Sequence, residues 1–275
     1  MNAIDNQPVK IDIEEVIRSR NPKLLKRIPG FIVRYIKRIL HQDEMNETLR
    51  VHKDKYGLDF VDAVLGDFGI HVETRDEENI PAEGRYIFAA NHPLGGIESL
   101  TLMKVVGRHD PNIRFLVNDL LMHLKNFQPI FVPINKLGGQ SKSATLDIED
   151  TYASPCQILY FPAGMVSRKK KGVIADPEWK KSFIVKAVKH QRDIIPVHIE
   201  GKNSRFFYSV ARIRSFFGIK ANIEMFYLPN EMYKQKGKII TLTFGKPLSH
   251  KTFDNSRTPH EWALYVRNIV YSMVK

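Results

Sequence analysis

The chain has 275 residues, 43% hydrophobic and 26% charged, with 42 Lys and Arg against 30 Asp and Glu for a formal net charge of +12. That composition excludes a wholly disordered chain, and 16 glycines with 15 prolines exclude a collagen-like or linker-dominated one. A single cysteine, Cys156, excludes an intramolecular disulfide framework and a multi-cysteine zinc site, and it points to a reducing compartment.

The first ten residues carry neither the basic region nor the apolar core of a secretory signal. No apolar run approaches the roughly 18 residues that span a bilayer, so a soluble or peripheral protein is expected. The positive charge is uneven. Val16 to His41 holds eight basic residues and no acidic one, and Arg168 to Lys220 holds fourteen basic against four acidic. In the first stretch Leu24, Leu25, Ile28, Ile32, Tyr35, Ile36 and Ile39 recur at helical steps, broken by Pro29-Gly30, which predicts two short amphipathic helices. Two readings stand for them: a helical pair packing its apolar side on the main domain, and a basic helix lying at an anionic membrane. Nucleic acid is not expected as a partner, because no reading module accompanies the charge. Residues 1–60 are expected as this N-terminal amphipathic helical appendage, and residues 61–275 as one domain.

From about residue 84 onward, apolar runs at Tyr86–Ala90, Ile113–Val117, Ile130–Ile134, Ile158–Phe161, Ile194–Ile199, Ile223–Leu228 and Ile239–Phe244 read as strands. Helical patterns lie near Glu98–Val106, Ser141–Tyr152, Pro177–His190, Ser204–Phe217 and Pro259–Met273. The alternation predicts an α/β fold with a mixed, largely parallel central sheet flanked by helices. Ligands of such sheets gather beyond the carboxyl ends of strands. Those ends hold Asn91-His92-Pro93, Asn135-Lys136-Leu137-Gly138-Gly139 and Pro162-Ala163-Gly164, so the candidate site is built from these loops.

The most informative segment is Ala90-Asn91-His92-Pro93-Leu94-Gly95-Gly96-Ile97-Glu98-Ser99. A loop of this length can fold Glu98, in the first turn of a helix, back toward His92. A carboxylate on one imidazole nitrogen fixes the tautomer and leaves the other nitrogen as a base. Gly95 and Gly96 can bring backbone N–H groups to a developing oxyanion. The alternative leaves Glu98 as a helix-terminal charge and His92 as a satisfied loop histidine. No metal cluster is expected, since the ten histidines are scattered. The deaminase-like His198-Ile199-Glu200 lacks its Pro-Cys-x-x-Cys partner, and Gly201-Lys202-Asn203-Ser204 lacks the first glycine of a phosphate loop.

With Phe131-Val132-Pro133-Ile134-Asn135-Lys136, then Phe161-Pro162-Ala163-Gly164-Met165-Val166-Ser167-Arg168, then Ile195-Pro196-Val197-His198-Ile199, the His92 segment resembles the four-block signature of the PlsC-like glycerolipid and lysophospholipid acyltransferase superfamily. The branch it resembles is that of bacterial hemolysin-like acyltransferases, some of which acylate lyso-forms of amino-acid lipids. The blocks span roughly residues 85 to 200, about two-fifths of the chain. The resemblance implies His92 and Glu98 as the catalytic pair. It implies substrate binding by Asn91, Gly95, Gly96, Asn135, Lys136, Phe161, Pro162, Gly164, Ser167 and Arg168. The implied reaction is direct acyl transfer from a thioester of acyl carrier protein or coenzyme A, as co-substrate, to a lyso-lipid hydroxyl. It needs no cofactor, metal or covalent nucleophile, and Cys156 is expected in the core. Three departures stand out: five residues rather than four separate His92 from the acid, Ala163 replaces the glutamate of Phe-Pro-Glu-Gly, and Lys136 replaces an arginine. They turn the expectation from a glycerol phosphate acceptor toward another lyso-lipid, such as a lyso amino-acid lipid. The alternatives are a 1-acylglycerol-3-phosphate acyltransferase and a catalytically impaired lipid-binding protein of the same fold. The basic run from Arg168 to Lys171 is expected beside the site, and the protein is expected in the cytoplasm, peripheral on the inner face of the cytoplasmic membrane.

Overall fold

The structure is a computed structural model and describes residues 10–20, 22, 27–128, 130–134, 142–219 and 221–274. Seven strands form the central sheet in the order β1 (His71–Arg75), β9 (Ile239–Phe244), β8 (Asp193–Ile199), β2 (Tyr86–Ala90), β5 (Gln157–Tyr160), β3 (Ile113–Asn118) and β4 (Phe131–Ile134). Every neighbouring pair is parallel except β8 with β9, so the expected mixed, largely parallel α/β sheet is the one observed.

The continuous apolar run of β2 is explained by cover on both faces. Its pleat sends Phe88 and Ala90 into one core cluster, with helix Ile97–His109 and helix Gly57–Asp67, and sends Ile87 and Ala89 into another, with helices Ser182–His190 and Pro259–Ser272. Helix Gly57–Asp67 runs across residue 60, and its Phe60, Val61, Val64 and Leu65 share the first cluster with the strands. Before it lie helices Ile13–Arg20, Gly30–Ile39 and Gln42–Val51, the second starting at the expected Pro29-Gly30 break. Leu24 and Leu25 lie outside the described residues.

Four elements differ from the sequence reading. Ile223–Leu228 is no strand: it is a 3-10 turn, Ile223–Tyr227, that runs into the short helix Leu228–Tyr233. Pro229 at the start of that helix suits its first turn and not a ladder. Strand β1 escaped notice because His-Val-Glu-Thr-Arg carries one apolar residue, which suffices for an edge strand paired on one side. The basic run after Ser167 folds into an antiparallel hairpin of β6 (Arg168–Lys170) and β7 (Val173–Ala175). The helix expected from Pro177 begins at Ser182.

Candidate active site

Strands β2, β5 and β8 are parallel, so their carboxyl ends carry three loops to one edge of the sheet. Asn91 fixes the first loop. Its buried amide donates from Nδ2 to the carbonyl of Ile199 (2.9 Å) and accepts at Oδ1 from that residue's N–H (2.6 Å), extending the β2–β8 pairing beyond the strand. His92 follows with its backbone held at both ends. Its N–H donates to the two oxygens of Asp176 (3.1 and 3.2 Å), and its carbonyl accepts from the Ser167 N–H (2.8 Å). The imidazole stacks on Phe161, with ring centroids 4.3 Å apart and planes 16° from parallel, and Phe115 meets Phe161 edge-on.

Glu98 is fully buried and folds back to this ring. Its Oε1 lies 2.9 Å from His92 Nδ1 and accepts from the N–H groups of Leu94 (2.8 Å) and Gly95 (2.5 Å), while Oε2 accepts from the Gly96 N–H (2.7 Å). The loop thus wraps around the carboxylate. Gly95 makes the wrap possible: its φ is +93°, and a Cβ there would stand 2.6 Å from Leu228 Cδ2. Burial by itself pushes the Glu98 carboxyl up, but the adjacent His92 and the hydrogen bonds from His92, Gly95 and Gly96 outweigh it and hold the group below its ordinary value. An ionised Glu98 only accepts, so the imidazole proton sits on Nδ1 and the lone pair on Nε2. Among the described residues nothing hydrogen-bonds to Nε2, and 17% of the His92 side chain reaches solvent. An imidazole held this way can take a proton from a hydroxyl.

The family model described as "Acyltransferase" matches residues 15–275. The chain belongs to the acyltransferase family. Two curated relatives are similar to this acyltransferase over nearly all of both chains. One, from Bacteroides thetaiotaomicron, is 47% identical over 98% of this chain and 99% of its own; the other, from Phocaeicola vulgatus, is 44% identical over 98% and 97%. Both carry the name lyso-glycine lipid O-acyltransferase. A crystal structure of the 1-acyl-sn-glycerophosphate acyltransferase PlsC from Thermotoga maritima matches with a TM-score of 0.47 and 16% identity, over 78% of this chain and 79% of that one. The family model and the two relatives bear out the acyltransferase resemblance drawn from the four blocks.

In this acyltransferase the predicted site residues fall into three groups. His92, Gly95, Gly96, Phe161, Pro162 and Gly164 lie in the loops at the carboxyl ends of β2 and β5, and Glu98 in the first turn of helix Ile97–His109, with Pro162 accepting the Lys180 N–H (3.0 Å) and Gly164 closing a turn on the Phe161 carbonyl (3.0 Å). Asn135 and Lys136 lie outside the described residues. The polar groups of several predicted residues are engaged within the protein. The N–H groups of Gly95 and Gly96 are spent on Glu98 and do not face an oxyanion. The amide of Asn91 is spent on Ile199, and the hydroxyl of buried Ser167 donates to Asp176 Oδ1 (2.6 Å). Arg168 sends Nη2 to the buried Glu224 (2.9 Å), whose other oxygen lies 2.8 Å from Arg214 Nε. Asn91, Ser167 and Arg168 thus direct these polar groups to partners within the protein.

Sequence reasoning missed Asp176. This buried carboxylate accepts from His92, Ser167 and the indole of Trp179 (2.9 Å), and so joins the His92 loop to the hairpin. Its only local signal is an acid just before Pro177 at the end of the hairpin. Among the described residues no cluster of His, Cys, Asp and Glu could hold a metal ion.

Proposed function

We propose that this acyltransferase esterifies the hydroxyl of a lyso-glycine lipid with a fatty acyl group from an acyl thioester, at the inner face of the cytoplasmic membrane. His92 serves as general base and Glu98 as the group that orients it. The observation that carries the chemistry is the 2.9 Å contact of Glu98 with His92 Nδ1, with Nε2 left for the acceptor. His92 Nε2 removes the proton as the acceptor oxygen attacks the thioester carbonyl. The carbon–sulfur bond then breaks, and the imidazolium returns its proton to the departing thiolate of coenzyme A or acyl carrier protein. Exposed Lys169 and Lys170 of the hairpin, directly after Ser167 and Arg168, supply positive charge for either donor. The acceptor is proposed from the names of the two relatives. A lysophosphatidic acid acceptor is less well supported: neither relative carries that name, and Arg168, one cation expected beside the site, is already committed to Glu224.

The test is turnover by the purified protein with lyso-glycine lipid and a long-chain acyl thioester, read as ester formation by mass spectrometry. His92→Ala should lower turnover about a thousandfold while the unfolding midpoint stays near that of the wild type. A variant that acylates within tenfold of wild type would sink the mechanism. Acylation of lysophosphatidic acid with none of the glycine lipid would sink the acceptor.

A further inference from the structure

Three segments distant in sequence meet on one face: helix Gly30–Ile39, helix Arg205–Phe216 and the 3-10 turn Ile223–Tyr227. Tyr227 ties them together. Its hydroxyl is 3.1 Å from that of Tyr35, and its ring receives Phe206 edge-on with centroids 5.0 Å apart. Around this junction large apolar side chains face solvent: Phe216 is 83% exposed, Phe217 70%, Phe31 64% and Phe226 57%, with Phe206 and Tyr35 near half. A single exposed apolar residue is ordinary, whereas six aromatic residues on connected elements mark an interaction surface.

Charge selects the partner. Between Gly201 and Asn230 the exposed charged residues among those described are Lys202, Arg205 and Arg212, all basic. The one acid in that stretch, Glu224, is fully buried between Arg168 and Arg214. Helix Gly30–Ile39 contains no acid and exposes Arg34 and Arg38. Aromatic side chains interleaved with cations suit the boundary between headgroups and acyl chains of an anionic bilayer. The underside of the same surface reaches the site: Leu228, next after the turn, packs with Val166 and Phe207 and approaches Gly95 of the His92 loop.

We infer that this aromatic platform, and not helix Gly30–Ile39 alone, seats the enzyme in an anionic membrane. Phe31, Phe216, Phe217 and Phe226 enter the acyl-chain boundary, and Arg34, Arg38, Arg205 and Arg212 meet lipid phosphates. The lipid surface then lies beside the loop that carries His92. The inference rests on the reading that the acceptor is a membrane lipid, and its test separates the two. The full chain is co-sedimented with vesicles of phosphatidylglycerol and phosphatidylcholine, and with phosphatidylcholine alone. Its turnover is measured separately with a short-chain, water-soluble acceptor analogue. Phe216→Ser with Phe217→Ser should weaken binding to the anionic vesicles by roughly tenfold or more. The unfolding midpoint and turnover of the soluble analogue should stay at wild-type values. Vesicle binding by the double variant within twofold of wild type overturns the platform, as does a wild-type chain that acylates the analogue and leaves the vesicles unbound. A dimer in light scattering that the double variant dissolves assigns the face to a second copy, and also overturns it. Loss of vesicle binding in the double variant, with no acylation by the wild type, leaves the platform standing and removes the acceptor reading.

Discussion

Glu98 meets four donors with two oxygens, and that count decides what a substitution does. Glutamine has nearly the same shape but carries one acceptor and one amide donor, so Glu98→Gln either points N–H at N–H in the loop or turns away from His92. Turnover is expected to fall about 100- to 1000-fold through loss of the fixed tautomer. Stability is expected to fall by about 2 kcal/mol through loop N–H groups left unpaired, read from urea unfolding. The same carboxyl sets a sign for pH. Because its folded value is held below the ordinary 4.5, the unfolded chain takes this proton first as pH drops. The contribution is whole above that ordinary value and is lost as pH falls through the folded one. Unfolding at about pH 6, 5, 4 and 3 should therefore show the gap between wild type and Glu98→Gln narrowing toward acid. The pairing was legible as one of two readings: a strand end, a histidine, two glycines and an acid in a first helical turn allow it, and the resemblance of the four blocks chose it over a helix-terminal charge beside a loop histidine. The destination of the Gly95 and Gly96 N–H groups was not, because a sequence shows that a backbone can bend and does not show where its donors point.

At the scale of elements, the site is a junction of loops whose seams are buried polar bonds. Asn91 joins the β2 loop to β8, and Asp176 joins it to the β6–β7 hairpin. Neither seam follows from a local pattern, since Asn91 and Ile199 stand 108 positions apart and His92 and Asp176 stand 84 apart. The strands beneath were readable because burial on both faces writes a continuous apolar run. Edge strand β1 and the turn at Ile223–Tyr227 break that correspondence from opposite sides, one a strand with little apolar content, the other an apolar run whose one acid is buried by Arg168 and Arg214. Asp176→Asn tests the hairpin seam. Asparagine keeps one acceptor oxygen for three donors, so a loss of about 2 to 3 kcal/mol is expected in thermal or urea unfolding. With the His92 backbone released, kcat should fall by tenfold or more while KM moves less than threefold, because the imidazole shifts and the lipid-facing surface does not. Equal changes in kcat and KM would place Asp176 in substrate binding instead.

Across the whole molecule, the net charge of +12 overstates what a partner can meet. Arg168 and Arg214 neutralise Glu224, Arg192 is buried against the carbonyls of Tyr152, Cys156 and Ser154, and Lys186 and Lys189 flank Glu149. Lys37 lies 2.6 Å from Glu14. Of the cations that stay exposed, Arg34, Arg38, Arg205 and Arg212 belong to elements of the aromatic platform, while others, such as Lys169, Lys170, Lys181 and Lys251, lie on other elements. Among the described residues no helix is long and apolar enough to cross a membrane; on the proposal that the enzyme works at a membrane, this surface supplies the adhesion. Each surface cation near an anionic bilayer contributes about 1 kcal/mol, so Arg34→Gln with Arg38→Gln should weaken binding to phosphatidylglycerol vesicles by roughly tenfold or more at low salt. The control removes the same charge elsewhere. Exposed Lys181 caps helix Ser182–His190 and Lys251 stands two residues before Phe253, in elements that pack on the Ile87 and Ala89 face of the sheet. Met232 and Tyr233, which follow the platform turn, pack with the cluster on the opposite face. At about 0.1 M salt, screening over about 10 Å hides charges that far from the bilayer, so Lys181→Gln with Lys251→Gln should change vesicle binding less than twofold. Equal losses in the two double variants would mean that net charge alone holds the protein to lipid, and that the placement of its arginines does not matter.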